Sequence, residues 1–448
     1  MEQDYEIYMY MPINLMDNIL IDYVSECRGD NTYIFKTKKD YLDFIERLKS
    51  LNKITNSIIE KMKNGIKEKV TLYKKTVSAM INNLTNVLKN KTYIHIRKHP
   101  YTKKLNKMID QYLVKNLKKL LSFLVDEYFV HSIDTFGLKS YQGGKDAYRE
   151  IVKNYTFSDM TPEKIHQTGI NELQRLKKQK KKLQEKLKVK NIDQYAQKKE
   201  NYYTSKKDII HDLKKIRKKL QKNIYPKYFH GELKDKDLYT IKHVPLENNY
   251  STAYYMSPDL KKQRKGTFYI NTKDPKNINK YELFVLSLHE GIPGHHYEID
   301  YHLNNDDPDL IKGMSFTGYS EGWGLYSENL GDYKEDLHFY FKIHYDIHRS
   351  LRLILDTGIH YYDWNYEKCF QLMKDNLTFS DDHIHRELLR YIDMPGQAIT
   401  YKIGEKTFFY LRNLLMKEGY GIKDIHEIML RIGPCPLELM IKTIKNML

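Results

Sequence analysis

Apolar residues recur three and four apart through most of residues 38–221: Tyr41, Phe44, Ile45 and Leu48 trace one stripe, and Ile165, Ile170, Leu173 and Leu176 another. This spacing puts side chains on one face of an α-helix and predicts a helical stretch. Thr161-Pro162-Glu163 marks a helix start: threonine caps, proline suits the first turn, and glutamate meets the positive end of the dipole. Gly143-Gly144 predicts a loop. Between 236 and 273 the texture changes, and LYTIKHVPLENNYSTAYYMSPDL and KGTFYINTKDP carry short β-rich runs broken by Pro, Gly and Asn, which predict a small sheet. From Lys280 the helical period returns and persists, with turn signals at Pro308, Gly318, Gly331, Pro395-Gly396, Gly419-Tyr420-Gly421 and Gly433-Pro434. The expected fold is mainly α with a small β-sheet beside a cleft. Residues 1–235 read as an N-terminal helical portion and 236–448 as a second portion of one continuous unit.

A chain of 448 residues can bury a large core and a cleft. Its apolar residues are spread throughout, which excludes disorder for the whole. The net charge of +17 would suit nucleic acid, an acidic membrane surface or anionic substrates. Its location changes that picture. Lys177 to Lys190 carries eight lysines against Glu185, and a second basic run follows at Lys214 to Lys222. Both have helical spacing, for which a solvated face is the ordinary explanation, and no zinc finger, aromatic ribonucleoprotein motif or helix-turn-helix accompanies them; no nucleic-acid partner is expected. Cys27, Cys369 and Cys435 are scattered and odd in number, so neither a disulfide framework nor a cysteine metal site is indicated. The N-terminus carries acids where a secretory signal has bases, and no apolar run is long enough to span a membrane. A cytoplasmic protein is therefore expected.

Chemistry concentrates in Leu286-Ser287-Leu288-His289-Glu290-Gly291-Ile292-Pro293-Gly294-His295-His296. In His-Glu-x-x-His on a helix, two imidazoles one turn apart share a zinc ion and the glutamate activates water. Here the position four after His289 is Pro293, and the next histidines lie six and seven residues on. If Pro293-Gly294 bulges the helix by two residues, His295 takes the second ligand's place. His296 keeps the helical phase but lies two turns, roughly 11 Å, from His289. That is too far for one metal, so His295 is favoured and His296 is left beside the site or facing substrate. A surface cluster of histidines is the plain alternative. Thr317 to Asn329 adds Glu321 and Glu328, seven residues apart and on one helical face. Two histidines and Glu321 leave a fourth position open, as catalytic zinc requires, and Glu328 can hydrogen-bond a ligand histidine.

The runs HEGIPGHH, GYSEGWGLYSENL, RSLRLILDTGIHYYDW and ELLRYIDMPGQAITYKIG, in this order, resemble the motifs of the family called domain of unknown function 885, held to be related to gluzincin metallopeptidases. The likeness continues upstream through AYYMSPDLKKQRKGTFYINT, TPEKIHQTGINEL and FKTKKDYLDFIERL, and so covers nearly the whole chain. The spacing of Glu321, Glu328 and Asn329 is also similar to the third-ligand helix of thimet-type oligopeptidases. These resemblances imply a large helical metallopeptidase fold with a channel between helical halves and one Zn²⁺ on His289, His295 and Glu321. They also imply that Glu290 is the base and that residues 236–448 are the catalytic portion.

By its place in a shared motif, Tyr401 is the candidate to stabilise the oxyanion, with His296 as the other choice, and Gln397 to orient substrate. Asp356 and His360, one turn apart, read as a polar pair near the metal, and Arg352 or Arg390 as a clamp for a substrate carboxylate. Tyr269, in a strand-like run, marks an edge to which an extended peptide can add. The expected activity is hydrolysis of small peptides. Hydrolysis of a non-peptide amide or ester, and a non-catalytic binding role for the basic helices, are the rivals.

Overall fold

The computed structural model describes residues 9–448 apart from 30–32, 157–159, 235–237, 245–251, 260–263 and 306–311. The turn signal at Pro308 and the 235/236 boundary lie outside the described residues. The chain is mainly helical with one small sheet. It divides into two compact units, one built from residues 1–148 and 385–394, the other from 149–244, 251–384 and 395–448.

In the first unit, helices Ile19–Cys27, Lys38–Lys49, Leu51–Glu68 and Lys74–Asn90 precede an unbroken run of helical segments from Thr102 to His131. The second of these starts where it does because Thr37 accepts from the Asp40 N–H while the Asp40 carboxylate accepts from the Thr37 N–H. This reciprocal cap is worth about 1 kcal/mol. Phe44, Leu48, Met62, Val77, Leu84, Leu117 and Leu120 fill the core, each contributing about 1.5–3 kcal/mol on leaving water.

Asp393, in the same unit, accepts from the Thr76 hydroxyl at 2.7 Å and the Leu15 N–H at 3.2 Å. Burial outweighs these bonds and pushes its carboxyl up to about 7. The folded chain thus keeps a proton that the unfolded chain has already lost. The stability this brings is complete below about pH 4 and is lost as pH rises through about 7. Asp393→Asn keeps the shape without the charge. It is expected to melt above the wild type at pH 8, by at most about 1.4 kcal/mol for each pH unit crossed, and to lose that advantage below pH 5. A melting difference that ignores pH would count against a protonated Asp393.

The second unit holds the sheet of β1 (Thr240–His243), β2 (Ala253–Met256) and β3 (Thr267–Ile270), in the order β1-β3-β2. The central β3 runs parallel to β1 and antiparallel to β2, and all four of its residues are buried. This corrects the expectation for Tyr269: its strand is paired on both sides, and its ring stacks on Tyr254 at 4.9 Å. The edge strands are β1 and β2.

The same unit contains α1 (Pro162–Leu187), α2 (Lys206–Asn223), α3 (Glu282–Glu290), α4 (His295–Asn304), α5 (Thr317–Glu328), α6 (Asp336–His360) and α7 (Thr400–Lys417), of which α2 packs on β1 and α3 on β2. Thr161 caps α1 through the Lys164 N–H, as its sequence predicts. Almost every residue of α6 is buried, and α1 packs along it so closely that a Cβ on Gly169 would come within 3.0 Å of the Ser350 carbonyl. α5 and α7 cross with their backbones in contact: a Cβ on Gly322 would lie 2.5 Å from the Gly404 Cα, and one on Gly404 would lie 2.2 Å from the Gly318 carbonyl. Gly318, which reads as a turn in the sequence, instead sits inside α5, where a Cβ would come 3.0 Å from the Tyr155 carbonyl. Trp323, Tyr326 and Phe408 seal this crossing in the main core. Among the described residues no helix is long and apolar enough to cross a membrane.

Candidate metal centre

α3 stops at Glu290 and α4 begins at His295, so the expected bulge in one helix is in fact a break between two. Pro293 has no N–H to continue the helical ladder. Gly294 lies so close to α3 that a Cβ there would meet the His289 carbonyl at 1.9 Å. The Trp323 indole donates to the Pro293 carbonyl at 2.9 Å and fastens the break to α5.

The break turns His295 back onto His289. The Nε2 atoms of His289 and His295 lie 3.2 and 3.4 Å from one oxygen of Glu321, and the two rings stand nearly perpendicular with centroids 4.7 Å apart. One donor atom from each of the three residues falls within 4.8 Å of the others. Bonds of about 2.05 Å at tetrahedral angles require donors about 3.3 Å apart, so this set fits a four-coordinate zinc ion with one position left for water or substrate. Gly324 makes room for it, because a Cβ there would lie 2.7 Å from the His289 ring.

The electrostatics point the same way. Burial alone would lower His289, but Glu321 and Glu328 outweigh it and hold the imidazole up to about 9. His295 is raised against its burial by Glu321. Burial would raise Glu321, yet the two imidazoles keep it well below the usual carboxylate range. The pocket draws positive charge. Glu290, at the end of α3, is pushed up by burial against the pull of His295 and His289, and the nearby backbone N–H of Tyr255 on β2 adds a weak pull toward the charged form.

Glu328 stands where its sequence spacing places it, accepting from His289 Nδ1 at 2.9 Å. That bond directs Nε2 toward Glu321. Behind it lies a buried cluster that sequence reading missed. Lys342 approaches Glu328 at 3.4 Å and Asp346 at 2.9 Å, Arg349 approaches Glu328 at 3.5 Å, and Lys402 bonds both Asp346, at 2.9 Å, and Glu405. Three cations thus face the three carboxylates of Glu328, Asp346 and Glu405.

The other candidates divide. His296 faces away from the triad, with Nδ1 3.0 Å from the Tyr255 hydroxyl and its ring against Tyr239. Tyr401, Gln397 and Arg352 gather as a separate group: Arg352 lies over the Tyr401 ring at 4.6 Å, and the Gln397 amide reaches the Tyr401 hydroxyl at 3.5 Å. Asp356 accepts from the Gly396 N–H at 3.0 Å, where Gly396 has φ +78°, so its carboxylate holds the Pro395-Gly396 turn, while His360 is fully buried at the end of α6. Arg390 belongs to the first unit, 3.7 Å from Glu387 one turn back, rather than to the unit that holds the triad. Tyr255, which touches both Glu290 and His296, was not singled out by sequence; its place in a β-rich run just upstream was the available signal.

The fold has solved counterparts. A "putative lipoprotein" from Colwellia psychrerythraea is 22% identical with TM-score 0.83, matching 97% of this chain and 80% of its own. A "putative lipoprotein of unknown function" from Shewanella oneidensis is 16% identical with TM-score 0.70, matching 95% of this chain and 81% of its own. Both descriptions overturn the expectation of a cytoplasmic protein. No curated protein matches the chain. The model of one family, described as bacterial protein of unknown function (DUF885), matches residues 2–444, and the chain belongs to that family.

Proposed function

We propose that this protein is a metallopeptidase with one zinc ion per chain that cleaves small peptides. The observation that carries the reading is the convergence of His289, His295 and Glu321 on one point with Glu290 beside it. These three residues would hold the ion, and Glu328 would keep His289 turned toward it. When bound, zinc supplies Lewis-acid polarisation of the scissile carbonyl and acidifies water. Glu290 takes the proton of the attacking water and passes it to the leaving nitrogen.

Metal content by mass spectrometry after dialysis against zinc tests the reading. About one zinc per chain is expected in the wild type and in His296→Ala, with loss in His289→Ala, His295→Ala and Glu321→Ala. Full occupancy in His295→Ala with loss in His296→Ala would overturn the ligand set.

A further inference from the structure

The hairpin of β2 and β3 carries a charge that the proposed chemistry does not use. The pairing of Tyr255 with Phe268 and of Met256 with Thr267 continues in register to a bridge between Asp259 and Arg264. Residues two apart on a strand share a face, so Tyr255, Gly266 and Arg264 all project from the same side of the hairpin. Gly266 is what lets them meet. A Cβ there would lie 1.7 Å from the Tyr255 hydroxyl, so the tyrosine leans across the glycine toward the end of the hairpin where Arg264 stands. Arg264 follows two residues away, about 7 Å along the strand and within reach of an arginine side chain. Its charge is felt there: burial and Asp300 push the Tyr255 hydroxyl up, and Arg264 opposes them.

The Arg264 guanidinium has its Nε and Nη1 atoms shielded from water without an acceptor, and no carboxylate partner among the described residues. Two guanidinium N–H groups shielded from water in this way are costly unless an acceptor joins them. Tyr255 connects this point to the proposed chemistry, because its hydroxyl bonds His296 and its backbone N–H favours the charged form of Glu290.

We infer that Arg264 and the Tyr255 hydroxyl form a subsite for a carboxylate of the substrate, so that peptides with an anionic group near the scissile bond are preferred. This rests on the hydrolytic reading above. The carboxylate is either the peptide's C-terminus or an acidic side chain, and both offer the paired oxygens that a guanidinium matches.

The test uses three probes, tetra-alanine as the free acid, its C-terminal amide, and Ala-Ala-Glu-Ala amide, with the zinc-loaded wild type, Arg264→Gln and Arg264→Lys. Cleavage supplies kcat and KM. Binding of dye-labelled probes to Glu290→Gln, with and without Arg264→Gln, is followed by fluorescence anisotropy. Arg264→Gln is expected to raise KM and Kd for an anionic probe on the order of tenfold, to leave kcat nearly unchanged and to spare the neutral amide. Arg264→Lys should recover part of the loss. A response to the free acid identifies the C-terminus, and one to the Glu probe identifies the side chain. If Arg264→Gln alters all three probes alike, or none, the subsite is wrong while the hydrolytic reading stands. If nothing is cleaved yet binding of the acid depends on Arg264, the hydrolytic reading fails and the subsite stands. Absence of both cleavage and binding would sink both.

Discussion

Glu290→Gln is expected to bind zinc as the wild type does and to cleave peptides on the order of 10²–10⁴ times more slowly, the usual contribution of a positioned general base. Glutamine preserves the size of the side chain and its capacity to accept a hydrogen bond, so the end of α3 and the neighbouring ligands should stay in place. What it removes is the ability to take a proton. His289, His295 and Glu321 remain, so metal content separates this loss from a collapsed site. The measurement pairs zinc stoichiometry with single-turnover cleavage of tetra-alanine. A variant that keeps both its zinc and its rate would show that Glu290 is not the base, whereas a variant that loses zinc would show that it supports the ligands instead.

Lys402→Met should cost about 3–5 kcal/mol of stability, the range found when one partner of a buried ion pair is removed. Lys402 is 1% exposed and bonds Asp346 and Glu405, while Lys342 also lies 2.9 Å from Asp346. These cations hold Asp346 well below its ordinary range against a burial that would raise it. Methionine fills a similar volume but leaves three carboxylates facing two cations away from water. Adding Asp346→Asn restores the balance to two against two, so the double variant should be less destabilised than the sum of the singles. Urea unfolding of the three variants decides this. A loss under about 1 kcal/mol, or strict additivity, would mean that Lys402 contributes packing and little charge pairing.

Most of the helical fold was legible in the sequence because its signals are local. Thr161 and Pro162 start α1 through their own backbone geometry, and the alternation of β-rich runs with turn residues from 236 to 273 anticipated the sheet. Reading failed where a residue's role depends on a distant one. Gly318 reads as a turn until the Gly404 backbone is laid against its carbonyl. Pro293-Gly294 reads as a bulge or as a break with equal ease, and the closeness of Gly294 to the His289 carbonyl favours the break. Tyr269 lost its expected edge because β3 is paired on both sides, by β1 and by β2. Lys342 and Asp346 stand one turn apart on α6, but their union with Lys402 of α7 and Glu328 of α5 was invisible because those helices are far apart in sequence.

The sequence by itself determined the chemistry on each local segment: Glu290 beside His289, a histidine pair after the Pro293-Gly294 interruption, and Glu321 and Glu328 on one helical face. Local periodicity suffices for that, since a helix sets the phase of its own side chains. Only the tertiary structure decided that His295 turns toward Glu321 while His296 turns toward Tyr255. Two adjacent residues at the start of a helix point in directions about 100° apart. Which of them meets α5 and which meets β2 depends on how the break at 291–294 orients α4, and that is fixed by contacts with Trp323 and the carbonyls of α3, which no local pattern records.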